Sequence, residues 1–211
     1  MDKNKHYIVN IGRQYGSGGR VIGTEIAGKL GFSFYDKELI NLASKESGVG
    51  AEFFEKADEK TRFGFFGNFF GLQGGMASDE FTNNYLNNEN LFLIQSDVIR
   101  QIAEERSAVF VGRCADYILR EHPYRADIFI TADMNDRIER LCNRRTIERN
   151  KAVEMIEKID KKRAEYYNYY TNKTWGVAKS YHLCINSSTL GIQGSVEFAV
   201  EFVRQKLEIK N

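Results

Sequence analysis

YIVNIGRQYGSGGRVIGTEIAGKLG, residues 7–31, is the stretch that decides the fold. Its first residues, 7–11, are apolar and partly β-branched, which predicts a short buried strand. After the glycine-rich turn, apolar residues recur at helical spacing as far as Leu30, and Gly31 follows as a predicted C-terminal cap. The stretch therefore predicts a strand, a glycine-rich loop and a helix in direct succession.

The loop between this strand and this helix has the residue types that bind an anion. In open α/β sheets ligands bind at the carboxyl ends of the strands, where a helix N-terminus offers N–H groups and the positive end of its dipole. Gly16, Gly18 and Gly19 leave the backbone accessible, Ser17 adds a hydroxyl and Arg20 adds a charge. We predict that the loop binds a nucleotide phosphate. A tight turn without a ligand is the alternative interpretation.

The loop departs from the strict phosphate-loop pattern, G-x-x-x-x-G-K-[ST]. When Gly18 is aligned with the second glycine of that pattern, Gly19 stands where the lysine would be. Arg20 and Val21 replace the residues that normally follow, so no hydroxyl is left at the usual magnesium position. Arginine forms bidentate contacts with phosphate, and we predict that Arg13 or Arg20 replaces the missing lysine.

The rest of the chain alternates strand-like and helix-like segments. Further strands are predicted at 32–35, 108–111, 128–131 and 181–185, and further helices after Asp36 and at 89–105, 117–119, 134–145, 151–170 and 193–207. This alternation predicts an α/β fold with a parallel sheet and helices on both faces. Residues 62–88, rich in Phe, Gly and Asn, have no sustained period and are the least predictable segment, and regular structure is predicted to resume with the helix at about residue 89.

Length and composition restrict the classes of function. The 211 residues suffice for a single domain, and 30 basic against 29 acidic side chains give a net charge of +1. Such a balance argues against binding to nucleic acid or to a membrane surface. The sequence has no apolar segment long enough to predict a membrane span or a leader, so a cytoplasmic location is expected. The three cysteines lack the paired spacing of a zinc site and are interpreted as core or near-core residues.

Several motifs together resemble one known family. They are IGRQYGSGGRVIG at 11–23, FYDKELI at 34–40, VFVGRCADYIL at 109–119, the basic and tyrosine-rich stretch at 144–175, and YHLCINSS at 181–188. In this order they resemble the cytidylate kinase-like group of P-loop nucleoside monophosphate kinases. The resemblance implies a three-layer P-loop kinase fold with five parallel strands, an acceptor-binding insert at 37–88 and a lid-like region at 144–175.

The resemblance also implies an activity: transfer of the terminal phosphoryl group of ATP, with Mg²⁺, to a small phosphorylated acceptor such as CMP or dCMP. It places the donor phosphates on Arg13, Gly16, Ser17, Gly18, Gly19 and Arg20, the acceptor on Asp36 and Arg113, and catalytic charge on Arg20, Arg113, Arg145 and Arg163. Phosphoryl transfer needs alignment and positive charge, which arginines from several elements supply. No protein metal cluster is predicted.

Some of these residues have simpler interpretations. Arg113 could form a structural salt bridge, and Asp36 could merely cap a helix. Arg145 lies where a basic residue favours the helix dipole, and Arg163 could pair at the surface with Asp160. The tyrosines of the run at 166–170 more often pack against a neighbour than stack on a base.

Two rival functions follow from the departures of the sequence from the phosphate-loop pattern and from the resembled family. A nucleotide-binding sensor without turnover would fit the loss of the lysine and the magnesium hydroxyl. A kinase for a different acceptor would fit the unfamiliar segment at 62–88. Its aromatic residues could close over an acceptor or pack in a second copy of the chain, forming a homo-oligomer; they are Phe63, Phe65, Phe66, Phe69, Phe70 and Phe81.

Overall fold

The computed structural model of the chain describes residues 5–46 and 78–209. The chain divides into two compact units, one made of Met1–Lys37 and Gln101–Asn211, the other of Glu38–Arg100. All five strands and the glycine-rich loop belong to the first unit.

Strands and helices alternate along the described chain. The strands are β1 (Ile8–Arg13), β2 (Ser33–Tyr35), β3 (Ala108–Val111), β4 (Arg125–Thr131) and β5 (Leu183–Asn186). The helices are α1 (Gly19–Leu30), α2 (Lys37–Glu46), α3 (Ser78–Glu105), α4 (Ala115–Ile118), α5 (Met134–Arg145), α6 (Arg149–Thr171) and α7 (Ser187–Lys206), with a 3₁₀ turn at Ala178–Ser180. Helix α7 bends at Gly191, whose φ is 67°.

The sheet has five strands in the order β2-β3-β1-β4-β5, and every pair is parallel. β1 lies at the centre, paired with β3 on one side and β4 on the other. Parallel strands end at a common edge, so the loops that follow β1, β2, β3, β4 and β5 all meet there. This architecture confirms the predicted α/β fold class.

One face of the sheet holds the main hydrophobic core. Alternate residues of β1 such as Val9 and Ile11 pack against α1 and α7 through side chains that include Ile22, Ile26 and Val200. α1 ends at Gly31, which has a left-handed φ of 68° and donates its N–H to Ala27 and Gly28 carbonyls, as the sequence predicts. Burying this apolar surface fixes α1, and therefore the loop before it, against the sheet.

The opposite face is partly aromatic and polar. The Phe129 ring lies 5.3 Å from Trp175 and 4.9 Å from Tyr181, measured between ring centroids. Tyr167 stacks on Tyr181 at 6.2 Å and donates its hydroxyl to Asp116 Oδ2 at 2.6 Å. For Tyr167 the packing interpretation of the tyrosine run is therefore confirmed.

Asp116 gives this face a pH dependence. Burial raises the pKa of the Asp116 carboxyl, although the hydrogen bond from Tyr167 opposes the shift. The Asp116 carboxyl therefore binds a proton more tightly in the folded chain than in the unfolded chain. The protonated carboxyl stabilises the fold at low pH, and this stabilisation is lost as the pH rises from the unfolded-state pKa toward the folded-state pKa. Asp116→Asn removes the buried charge and keeps an acceptor for Tyr167.

We expect Asp116→Asn to raise the unfolding midpoint above that of the wild type at neutral pH, with the gain shrinking toward about pH 4, where an unfolded aspartate is protonated. Urea unfolding of both proteins across this range measures the difference. A difference that does not vary with pH would contradict the assignment of the buried charge.

The second unit contains most of α2 and α3. Gln95 Nε2 of α3 donates a hydrogen bond to Asn41 Oδ1 of α2 at 2.5 Å. α3 begins at Ser78, so the prediction that regular structure resumes only near residue 89 was wrong. Phe63, Phe65, Phe66, Phe69 and Phe70 lie outside the described residues, and Phe81 lies in the first turns of α3. Homo-oligomer formation through 62–88 stays a prediction.

Two further features concern the described residues alone. None of their helices has the length and apolar character that a membrane span requires. Cys114 is buried and Cys142 half-buried, but Cys184 is exposed, so its interpretation as a near-core residue was wrong. Cys184 occupies a position in the edge strand β5.

Candidate active site

The glycine-rich loop runs from the end of β1 to the start of α1, at the carboxyl edge of the sheet. Gly16 and Gly18 have φ values of 79° and 80°, a left-handed conformation that favours glycine. The first N–H groups of α1 have no partner within the helix, and they face the loop at the positive end of the helix dipole. The backbone therefore has the shape and polarity of a phosphate cradle.

Arg13 and Gly19 fit together sterically. A Cβ placed on Gly19 would lie 2.5 Å from Arg13 Cβ and 3.0 Å from Arg13 Cγ, too close for any side chain. Arg13 occupies the first position of the strict phosphate-loop pattern, where a glycine is usual, and Gly19 occupies the lysine position. In the sequence the cation and the glycine have exchanged places, and the Arg13 side chain occupies space that any side chain at position 19 would need.

The guanidinium of Arg13 lies against a second glycine. A Cβ on Gly112, which follows β3 with a φ of 82°, would lie 2.0 Å from Arg13 Nη1. Burial, and next the charge of Arg163, lower the pKa of Arg13 to about 9, while Asp36 opposes the shift. Arg13 is therefore a partly desolvated cation that stays charged at neutral pH.

Arg113 and Arg163 lie near Arg13 and also lower its pKa. Arg163 of α6 donates Nη1 to the backbone carbonyl of Arg13 at 3.0 Å, and its guanidinium lies 5.4 Å from the centre of the Tyr15 ring. Arg113 follows Gly112 with a φ of 59°, and its guanidinium lies 4.9 Å from the Tyr166 ring. The structure thus brings three predicted arginines together beside the loop.

Asp160 of α6 holds the apex of the loop. Its Oδ1 accepts the backbone N–H of Tyr15 at 2.7 Å, and its Oδ2 forms a salt bridge with Arg137 of α5. Arg137 also donates Nε to the Tyr15 carbonyl at 2.8 Å. Arg163 also lies 3.8 Å from Asp160, so the predicted pair of these two residues is present. The pair is half-buried rather than fully at the surface, and the carboxylate binds the loop as well.

A second set of contacts connects the loop to α5 and to the first residue of α7. Arg140 donates Nη1 to the Gly16 carbonyl at 3.3 Å and to Ser187 Oγ at 3.1 Å. Ser187 in turn donates its hydroxyl to the Ser17 carbonyl at 2.7 Å. The loop is therefore fixed before any ligand arrives, which lowers the entropic cost of binding.

The Ser17 hydroxyl, predicted to bind a phosphate, forms hydrogen bonds within the loop. The residue is fully buried, and its Oγ donates to the Gln14 carbonyl at 2.9 Å. Gly19 N–H donates back to Ser17 Oγ at 3.4 Å. These bonds shape the loop from within, so the hydroxyl is engaged by the loop itself instead of being presented to an anion.

Arg20, the second residue of α1, forms an ion pair with Asp36, the residue after β2. Arg20 Nε donates to Asp36 Oδ2 at 2.7 Å; the Arg20 side chain is 66% exposed, whereas that of Asp36 is 5% exposed. Asp36 immediately precedes α2, where the sequence places it. The pair brings two predicted site residues together at the mouth of the loop.

Arg145 lies elsewhere. It is exposed in the last turn of α5, and among the described residues of this helix the hydrogen bonds to the loop come from Arg137, Arg140 and Arg144. Arg144 donates to the Tyr15 hydroxyl at 3.4 Å. Arg144, and not Arg145, therefore lies on the helical face that meets the loop.

Sequence reasoning missed Arg137, Arg140, Tyr15 and Ser187. Residues 137, 140 and 144 recur at the spacing of one helical face, which was a usable signal for the arginines of α5. The sequence contained no such signal for Tyr15 and Ser187, because their contacts depend on which helices meet the loop in the folded chain.

The model of the cytidylate kinase-like family matches residues 8–189, which include the loop, Arg113 and α6. The chain belongs to the cytidylate kinase-like family. Its fold is that of the nucleotide kinase-like P-loop proteins, as the strand order and the position of the glycine-rich loop also indicate.

Two solved structures of similar fold match nearly the whole length of this chain. An uncharacterized protein from Eubacterium ventriosum is 24% identical, with a TM-score of 0.69 over 97% of this chain and 100% of that chain. A shikimate kinase from Bacteroides thetaiotaomicron is 14% identical, with a TM-score of 0.52 over 96% of this chain and 99% of that one. At these identities the likeness concerns the fold alone. No curated protein matches the chain.

Magnesium, which the family resemblance implies, does not fit the protein groups at this loop. The hydroxyl that usually binds the ion is replaced by Arg20, and Asp36 is paired with that arginine. Within 5–46 and 78–209 no group of three or more His, Cys, Asp or Glu side chains could hold a metal ion. The protein ligands of a conventional phosphate-loop magnesium site are therefore lacking among the described loop residues.

Proposed function

We propose that the chain is an ATP-dependent phosphotransferase whose acceptor is CMP, dCMP or a related small phosphorylated molecule. The observation that supports this most strongly is the grouping of Arg13, Arg113 and Arg163 beside a preformed phosphate cradle. Like charges held together and partly desolvated destabilise one another. A bound polyphosphate would compensate that cost, and phosphoryl transfer uses such a cluster to stabilise charge.

The position of each arginine supports a role for it. Arg13, at the end of β1, would hold the donor phosphates together with the backbone of residues 16–20. Arg113, at the end of β3, would hold the phosphate of the acceptor. Arg163, on α6 between Arg13 and Tyr15, would stabilise the charge of the group in transfer. These roles do not depend on a metal ion.

The proposed reaction needs no general base. An acceptor phosphate oxygen is ionised at neutral pH and can attack the terminal phosphorus of ATP directly, while the bond to the ADP oxygen breaks. Catalysis then consists of alignment and electrostatic stabilisation. The described site agrees with this, because its functional side chains are mainly arginines.

An acceptor panel tests the proposal. ADP release and thermal stabilisation are measured with ATP and each of CMP, dCMP, UMP, AMP and GMP. Turnover that depends on CMP or dCMP is the expected result. Stabilisation by ATP without turnover on any acceptor would favour the rival function, a nucleotide-binding sensor, and the absence of both responses would contradict nucleotide binding at the loop.

Arg113→Ala is expected to weaken acceptor binding about 10- to 100-fold, since a hydrogen bond to a charged group is worth about 1.5–3 kcal/mol and about 1.4 kcal/mol is tenfold. ATP affinity should change little, because Arg13 remains. The apparent KM for the acceptor and the dissociation constant for ATP measure the two effects separately.

Arg120→Ala is the matched control, because the exposed Arg120 also lies over a tyrosine ring, 4.4 Å from the centre of Tyr117. It should leave both constants unchanged. Equal effects of the two substitutions on acceptor KM would contradict the role given to Arg113.

A further inference from the structure

The sequence position that usually provides the magnesium ligand of the loop carries an arginine here. In the strict pattern the second residue of the helix is Ser or Thr, and its hydroxyl binds Mg²⁺ beside the phosphates. Here that residue is Arg20, and its guanidinium lies at the mouth of the loop, 2.7 Å from Asp36 Oδ2. A cationic side chain therefore replaces the metal's usual hydroxyl ligand at this sequence position.

Two acids near the loop are already bound to arginines. Within residues 5–46 and 78–209, the carboxylates of Asp36 and Asp160 raise the pKa of Arg13. Asp36 pairs with Arg20, and Asp160 pairs with Arg137 and accepts the Tyr15 N–H. Mg²⁺ requires closely spaced oxygen ligands, and a guanidinium in contact with the carboxylate repels it.

The arginines could by themselves balance a polyphosphate. Arg13, Arg113 and Arg163 lie beside the loop, and Arg20 extends from its mouth with a mostly exposed side chain. Guanidinium groups bind phosphate oxygens through paired N–H donors, as a metal binds them through coordination.

We propose that this site takes metal-free ATP, with the guanidinium of Arg20, held by Asp36, in place of the magnesium ion at the donor phosphates. This inference rests on the proposed function, since it concerns the same donor site. Its consequence is unusual for a phosphate loop: Mg²⁺ competes with the arginines for the phosphate oxygens, so ATP complexed by Mg²⁺ binds no better than free ATP.

Calorimetric titration of the full chain with ATP tests the inference, once with EDTA and once with excess Mg²⁺. We expect the dissociation constant in EDTA to be equal to or lower than that in Mg²⁺. ATP binding at least about tenfold tighter in Mg²⁺ would overturn the inference and leave the proposed function standing. An absence of ATP binding in both conditions would overturn the two together.

Arg20→Ser tests the residue itself, because it restores the hydroxyl and releases Asp36. We expect its ATP affinity in EDTA to fall about tenfold and to recover when Mg²⁺ is added, whereas Arg20→Lys retains a cation and most of the affinity in EDTA. Lys29→Ser, at an exposed cation of the same helix, is the matched control and should match the wild type in both buffers. Wild-type affinity of Arg20→Ser in EDTA would overturn the role of Arg20.

Discussion

Gly19→Lys, which restores the lysine of the strict phosphate-loop pattern, is expected to abolish ATP binding rather than to strengthen it. The new Cβ would lie 2.5 Å from Arg13 Cβ, an atom next to the backbone that has little freedom to move. Either the start of α1 or the end of β1 must shift, and both carry the loop. Calorimetry should detect no binding at ATP concentrations that saturate the wild type.

The double variant Arg13→Gly/Gly19→Lys returns both residues to the strict pattern, and we expect it to recover affinity to within about tenfold of the wild type. Arg13→Gly alone relieves the crowding but removes the cation, so it should weaken ATP binding about 10- to 100-fold. The two single effects are thus non-additive, as expected of residues in contact. If the double variant bound ATP no better than Gly19→Lys does, the proposed exchange of positions between the cation and the glycine would be contradicted.

Asp160→Ala is expected to have the largest effect on stability, about 3 kcal/mol, at the lower end of the range for a broken buried ion pair. The Arg137 side chain, only 5% exposed, would keep an uncompensated charge, and the Tyr15 N–H would lose its acceptor. Urea unfolding measures the change. ATP affinity should fall as well, because the loop apex loses its anchor.

Arg137→Met should cost less than Asp160→Ala, since Asp160 keeps the Tyr15 N–H and the nearby Arg163. Asp97→Ala, which breaks the exposed pair of Asp97 and Arg100, is the control and should cost under about 1 kcal/mol. A loss for Asp160→Ala no greater than that of this control would show that the pair does not hold the loop.

Apolar periodicity predicted most of the fold. β3 has the predicted bounds, and α1 ends at Leu30 as expected, because buried strands and amphipathic helices leave regular apolar patterns. The start of β4 at Arg125 was missed, since Asp127 interrupts the apolar run. That carboxylate is tolerated in a buried strand because Asn10 of the adjacent strand donates to it at 2.8 Å. The pattern of one segment contains no information on such a partner.

The candidate site was predicted in part. The loop, Arg13, Arg113, Arg163 and the neighbouring Asp36 follow from glycine spacing, strand ends and the family resemblance. The sequence left open whether Arg13 or Arg20 replaces the lysine, because the contact of Arg13 with Gly19 depends on the distance between the end of a strand and the start of the next helix.

The affinities of the wild type and of Arg13→Gly for ATP, measured by calorimetry, test the central claim most directly, namely that Arg13 at this loop holds the donor phosphates. The account predicts one ATP bound per wild-type chain and a loss of about 10- to 100-fold in the variant. Equal affinities in the two proteins, or no ATP binding by the wild type, would contradict it.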